Sequence, residues 1–430
     1  AGVSFAAIAI GGLVAVDQWR QAESARAVAV LQRDAATAAR AAESAQRQRA
    51  EDAAALGARL YARPHLDQTR EIATEVVSWL RQRAPGDEAR QSAVLTSFAA
   101  ALANGGARVE VTDLLYAVLE QTGAEYRVRV IERLRERGDA DSLINAAMLV
   151  WRDQANGARA TTVAELLERA FALQPDHVFG WYVASVFCDS GEASSCVRPD
   201  ATQQLARVDA DNGFAWMVLA SRSNGEQAYA ALRRAAHSPA FNDYYGVSYQ
   251  NYARAIEEAG VPPPPLVAGP AQVLAPGERV ESTVAQLQVW DLPSPWFQNV
   301  LNLCDPNRGL PAEPTVRADC ITLGARLAHM PGGLLSNMIG SVMVRRLARG
   351  TPLETEMKAI RARYVYLSDL YQSFSNSELL GYGLGRLQRD SIEFGEMEGL
   401  ARLAAHFAKP TSPPADWQPE NPQALLLPEE

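Results

Sequence analysis

The residues best suited to chemistry in this chain are four cysteines, five histidines and a run of tyrosines. The cysteines fall into two local pairs, Cys188 with Cys196 in FCDSGEASSCV and Cys304 with Cys320 in LCDPNRGLPAEPTVRADC. Each pair brackets a Gly- or Pro-containing turn, and neither has the CxxC spacing of a zinc or thioredoxin site. Both pairs are expected to be disulfides that close helix-loop-helix joints in an oxidising compartment; buried free thiols are the alternative. His65, His177, His237, His329 and His406 lie far apart and form no HExxH, so no metal site is expected. DADNG at 209–213 imitates the start of a calcium loop, but Ala220 stands where the twelfth-position acid is needed, so a helix-joining turn is expected. GYGLG at 381–385 lacks the later glycine of a dinucleotide loop and is read as close helix packing. GxxxxGK[ST] and GxSxG are both missing from the sequence. No catalytic residue and no cofactor is therefore expected. Tyr244, Tyr245, Tyr249 and Tyr252 remain, and the spacing of Tyr245, Tyr249 and Tyr252 puts them on one helical face. That face is either core or a recognition surface.

The elements that must position these residues are helical. Hydrophobic residues make up 48% of the 430 positions and aromatics only 7%, a balance that favours Ala- and Leu-rich helices over sheet. The net charge of -9 argues against a nucleic-acid partner, which would need a clustered basic face. Residues 1–16, AGVSFAAIAIGGLVAV, carry no charge and read as the end of a transmembrane span; a core helix or a trimmed signal segment is the competing reading.

Residues 17–60 form an Ala-rich stalk helix with one glycine, Gly57, and no proline up to Arg59. Its apolar stripe is mostly alanine beyond Leu31, so coiled-coil pairing should be weak. Residues 61–260 alternate helical-period runs with short breaks and read as antiparallel helices. VPPPPLVAGPAQVLAPGE, within 261–278, is expected to run extended as a linker. A second helical unit follows at 279–408, where LQRDSIEFGEMEGLARLAAHF reads as one closing helix. The Pro-rich tail at 409–430 is expected to be disordered.

Within the array, ALQPDHVFGWYVAS and ARVDADNGFAWMVLAS align Phe179 with Phe214 and Trp181 with Trp216, 35 residues apart. With Ala170, Leu173, Pro175 and Trp181, the first copy resembles a tetratricopeptide repeat. The second copy departs from it, with Ala210 in place of the proline and Leu205 in place of the small alanine. Tyr245 follows Trp216 by only 29 residues, so a third copy is out of phase. The resemblance covers about residues 145–255 and implies an all-α array of antiparallel helix hairpins with a protein-binding, non-catalytic role. The long helix before the repeats is also similar, in architecture, to bacterial signalling proteins with an external helical-repeat domain.

Three expectations follow. The chain is a membrane-tethered periplasmic protein of the bacterial inner membrane, held through residues 1–16, that binds another protein or an envelope component. Alternatively it is the external sensory region of a signalling protein whose kinase or transcription-regulator domain lies upstream. Nucleic acid is not expected as a partner in either case.

Overall fold

The computed structural model describes residues 30–56, 69–105, 111–151, 158–187, 198–274, 277–289, 297–308 and 313–427. Residues 1–16, the start of the stalk, His65, Cys188 and Cys196 lie outside these. Among the described residues the fold is all-α, and its one extended pairing is an isolated bridge between Asn212 and Ala240. No described helix is long and apolar enough to cross a membrane.

Helix α1 covers 30–56 and is exposed along its length up to residue 51. It meets the body only near its end, where Asp52, Ala53 and Leu56 are buried. Helices α2 (Thr69–Arg83), α3 (Glu88–Gly105) and α4 (Val111–Arg137) form the base on which the stack is built. The stack proper consists of antiparallel pairs: α5 (Ala140–Trp151) with α6 (Ala158–Leu173), α7 (Val178–Phe187) with α8 (Ala201–Val208), and α9 (Gly213–Arg222) with α10 (Gly225–His237).

One lock recurs in two of these pairs. The Trp181 indole N–H donates to the Pro175 carbonyl at 2.7 Å, and the Trp216 indole N–H donates to the Ala210 carbonyl at 2.7 Å. The carbonyl six residues upstream does the work, so alanine serves as well as proline. Arginines cover both rings, Arg198 at 4.8 Å from Trp181 and Arg234 at 4.7 Å from Trp216.

The out-of-phase spacing at Tyr245 has a structural cause: the chain leaves the stack after α10. Helices α11 (Tyr245–Ala259), α12 (Pro265–Leu274), α13 (Val280–Val289) and α14 (Phe297–Leu303) form an insert, and the next member of the stack is α15 (Pro314–His329), which packs on α10. It pairs with α16 (Leu334–Leu347), and α17 (Pro352–Ser373) packs on α16 in turn. Buried Asp319 of α15 joins the stack across the insert, accepting from Arg233 at 3.0 Å and meeting His237 at 2.8 Å. The chain closes with α18 (Asn376–Tyr382), α19 (Leu384–Phe394) and α20 (Glu396–His406).

Four expectations need correction. The segment at 261–278 contains a helix, α12, rather than extended chain alone. Pro265 opens it, where a missing N–H costs nothing, and Pro270 leaves the Leu266 carbonyl without its intrahelical donor. The Thr122 hydroxyl of α4 lies 3.4 Å from that carbonyl, but its single proton has a closer acceptor in the Val118 carbonyl of its own helix, at 2.9 Å. The tail at 409–430 is packed through residue 427: Trp417 lies against Tyr366, and Leu427 is 3% exposed. The expected closing helix is two, α19 and α20, because Gly395 adopts φ +89° and a side chain there would meet the Pro331 backbone. Within GYGLG, nothing approaches Gly381, while Gly383 turns the chain between α18 and α19 with φ +90°.

Candidate functional site

The tyrosines read as either core or a recognition surface lie inside the molecule. Tyr249 and Tyr252 are buried and Tyr245 is half-buried. Their helix α11 packs against α4, α5 and α13, so the apolar face they share is core. The insert does more than bury them. It covers α5 through α11 and α9 through α14, and Tyr244 stacks on Tyr182 of α7 at 4.4 Å. Phe214 of α9 meets both Tyr244 and Phe297 edge-on, at 6.0 and 6.2 Å. Asn299 donates to the Ser221 carbonyl at the end of α9, at 2.9 Å. The face presented by the first helices of three successive pairs is thus occupied by the chain itself. This explains why α7 and α9 are buried on nearly every side, a pattern a solvent-facing helix does not have.

The densest polar constellation lies where the chain crosses out of the stack, and DADNG is its cradle. Asn212 caps α9 by accepting from Phe214 N–H at 3.1 Å, and its carboxamide also bonds Asn242 on both sides, at 2.9 and 3.0 Å. Asp209 accepts from the Asn212 amide and from the Tyr244 hydroxyl. Gly213 is required there, since a Cβ would sit 2.5 Å from the Ala235 carbonyl oxygen and 2.6 Å from Phe241. The expected helix-joining turn is present, and it also seats the crossing segment. Tyr244 takes φ +62°, a left-handed conformation that this seat holds in place.

Next to Tyr244, two acids reach the start of α16. Asp243 accepts from Gly333 N–H at 2.9 Å, from the Ser336 hydroxyl at 3.4 Å and from Tyr245 N–H at 3.1 Å. Glu396 accepts from Leu334 N–H at 2.5 Å and faces the Tyr245 hydroxyl, which accepts from Gln388 at 2.8 Å. Burial pushes the Asp243 carboxyl above the usual range, and its bonds to amides do not cancel that rise. Burial raises Glu396 as well, and the charge of Asp243 adds to it. Tyr245 is raised in turn by burial and by the charge of Glu396. Among the described residues no cation pairs with either acid. The donors that hold Asp243 and Glu396 belong to the chain itself, so the chemistry this arrangement can perform is proton-linked clasping of three loops.

A second polar anchor holds α1. Asp52, whose side chain is 1% exposed, accepts from Arg83 at 3.0 Å, from Arg90 at 2.6 Å and from Gln48 at 3.4 Å. Burial alone would raise this carboxyl, but the bonds from Arg90 and Arg83 outweigh it and hold it low. An open groove of about 680 Å³ runs between α1 and α3, lined by Arg49, Ala50, Ala53, Ser97 and Phe98 among others.

Cys304 and Cys320 form a disulfide, with Cα atoms 5.7 Å apart, that ties α15 back to the end of α14. Cys188 and Cys196 fall outside the described residues. Three histidines pair with acids across helices: His177 with Asp141, His237 with Asp319 and His329 with Glu356, at 2.7 to 2.8 Å. Asp52, Asp243 and Glu396 escaped the sequence reading because nothing in their local sequence marks them; the Asn-Gly of DADNG was the one available signal. No protein-family model matches the chain, and neither does any curated protein or solved structure compared with it.

Proposed function

We propose that this protein is a non-catalytic helical scaffold, tethered on the outer side of the bacterial inner membrane, that binds another protein or an envelope component. One observation carries the reading: helix hairpins stack continuously from α5 to α17, passing over the insert between α10 and α15, and two successive pairs carry the same indole-to-carbonyl bond. Stacked hairpins of this kind are surface-building architectures. The insert fills the face of α5, α7 and α9, which moves binding to the surfaces left open, including α1. The disulfide between Cys304 and Cys320 supports an oxidising compartment.

The test is capture from envelope extract by the full chain, beside a variant in which exposed α1 arginines Arg33, Arg40 and Arg47 are changed to glutamate. A partner retained by the first and lost by the second is expected; equal recovery by both would reject α1 as the binding element. For the compartment, alkylation of unreduced protein from cells should leave Cys304 and Cys320 unmodified. Modification of both would remove that support.

The Asp52 anchor favours a second reading, the external sensory region of a transmembrane signalling protein. Its two arginines fix the end of an otherwise exposed helix to α2 and α3, the arrangement a rigid lever needs. A kinase or transcription-regulator domain encoded upstream of Ala1 is its discriminating observation.

A further inference from the structure

We infer that the face of α17 and α20 is a docking groove for extended, proline-rich chain from another protein, and that residues 410–427 are its exchangeable occupant in cis. The segment carries prolines at 410, 413, 414, 419 and 422, which keep it from forming a long helix or a sheet strand, and its one regular element is the short 3-10 turn Pro422–Leu425. The carbonyls of Pro414, Asn421 and Gln423 accept from amides within the segment, and α17 supplies donors to three others. The Tyr366 hydroxyl donates to the Pro410 carbonyl at 3.1 Å, Arg363 to Thr411 at 3.2 Å and Arg361 to Ala424 at 2.8 Å. All three bonds go to main-chain oxygens, which any sequence offers. What gives the segment an address is Trp417, whose ring meets Tyr366 edge-on at 5.4 Å and packs on the patch of Leu367, Ala401 and Ala404. Aromatic and donor groups arranged around an extended proline-rich chain are a recognised mode of peptide capture.

The fit in cis is imperfect, and the imperfection argues for exchange. Among the described residues, Arg361 Nη1 and Asp369 Oδ2 are buried with no hydrogen-bond partner. Asp369 also faces a like charge, Glu420, on the segment, partly offset by the Glu420 backbone amide. Apart from Leu427 the described strap residues are exposed or half-buried, so few contacts resist its release. A cis occupant has the advantage of high effective concentration. A partner segment without an acid at the Glu420 position gains where the cis strap loses.

The experiment uses the full chain and a fluorescent peptide of residues 409–430. Trp417→Ala loosens the cis strap and leaves the groove intact. That variant should bind the peptide at least about tenfold more tightly than the unsubstituted chain, a change worth about 1.4 kcal/mol. Adding Arg361→Ala and Arg363→Ala should abolish the gain, and a peptide carrying Glu420→Gln should bind more tightly than the parent. Peptide binding that is equal in all variants, or none in a Trp417→Ala chain with an unchanged circular-dichroism spectrum, would overturn the proposal. Hydrogen exchange on the unsubstituted chain gives an independent readout: excess Glu420→Gln peptide should deprotect 410–427 while α17 stays protected. Unchanged exchange in the strap would also overturn it, and a concentration-dependent dimer of the unsubstituted chain would assign the groove to a second copy instead of a separate partner.

Discussion

The two acid anchors solve the same problem with opposite electrostatics. At the α1 clamp, Asp52 is taken out of water but meets two guanidinium groups, each reachable from solvent, and its carboxyl is held low. At the crossing, Asp243 and Glu396 are taken out of water and meet backbone amides, a hydroxyl and each other, and both are pushed up. Burial raises all three. The partner decides the sign, because full positive charges offset desolvation where amide dipoles do not. The clamp is thus a charged tie and the crossing a proton-linked one.

Steric tolerance separates the two regions further and gives the largest expected effect. The crossing depends on Gly213, where a Cβ meets a carbonyl oxygen that cannot move without shifting α10. Gly213→Ala should destabilise the protein by about 3 kcal/mol, as overpacking against backbone does. It should also release α11, read as lost hydrogen-exchange protection from Tyr245 to Ala259. The clamp has no comparable close approach, so α1 should keep its protection in that variant.

Next comes the charged tie. Asp52→Asn removes the anion while Arg83 and Arg90 stay in place, and one amide cannot serve both guanidinium groups. A loss of about 2 kcal/mol is expected, below the figure for a fully buried pair because both arginines reach water. Denaturant melts would measure it, and a limited-proteolysis site opening after α1 would locate it. Stability unchanged in Asp52→Asn would mean that Ala53 and Leu56 hold the helix without the ion pair.

What the sequence announced and what it hid divide along the same line. Helical period, the Trp181 and Trp216 phase and the local cysteine pair at 304 and 320 all write themselves into a short stretch of chain, and each has its counterpart in the fold. The departure of the second repeat copy at Ala210 was legible but overweighted, since the lock uses the carbonyl and not the ring. The crossing was illegible. Asp209, Asp243 and Glu396 are separated by long stretches of chain, and their roles exist only once α10, α16 and α20 are brought together. The helix at Pro265–Leu274 was hidden for a related reason: the helices that cover it, α3 and α4, are remote from it in sequence. The fate of the tail depended on Tyr366, Arg361 and Arg363, remote from it in sequence.

Because the two ties shift in opposite directions, acid should separate them. An unfolded carboxylate titrates near pH 4. Asp243 and Glu396 sit higher in the folded state, so the native protein binds their protons more tightly; the stability they contribute is complete below about pH 4 and is lost as pH rises through their folded values. Asp52 sits lower, so its contribution is complete above about pH 4 and is lost as pH falls through its folded value. Lowering the pH from 7 towards about 4.5 should therefore increase the protection of Gly333–Asn337, after correction for intrinsic exchange, and leave α1 unchanged. Further acid should free α1 first. Protection at α16 that falls between pH 7 and about 4.5 would reverse the sign assigned to the crossing.

The smallest expected effect is the sharpest test of the contrast. Glu396→Gln removes a charge from a half-buried carboxyl, as Asp52→Asn does from a buried one, yet here the amide can replace the acid. Its oxygen can accept from Leu334 N–H, and its NH₂ can donate to the Tyr245 hydroxyl, whose own proton is then free to turn elsewhere. The substitution should cost less than about 0.5 kcal/mol at neutral pH, where the acid's desolvation works against the native state. It should also flatten the pH dependence of α16 protection, because one of the two raised acids has gone and the other has lost a like-charged neighbour. If Glu396→Gln proved as damaging as Asp52→Asn, with the pH profile intact, Glu396 would be held as a fully charged group, and the crossing would be a charged tie like the clamp.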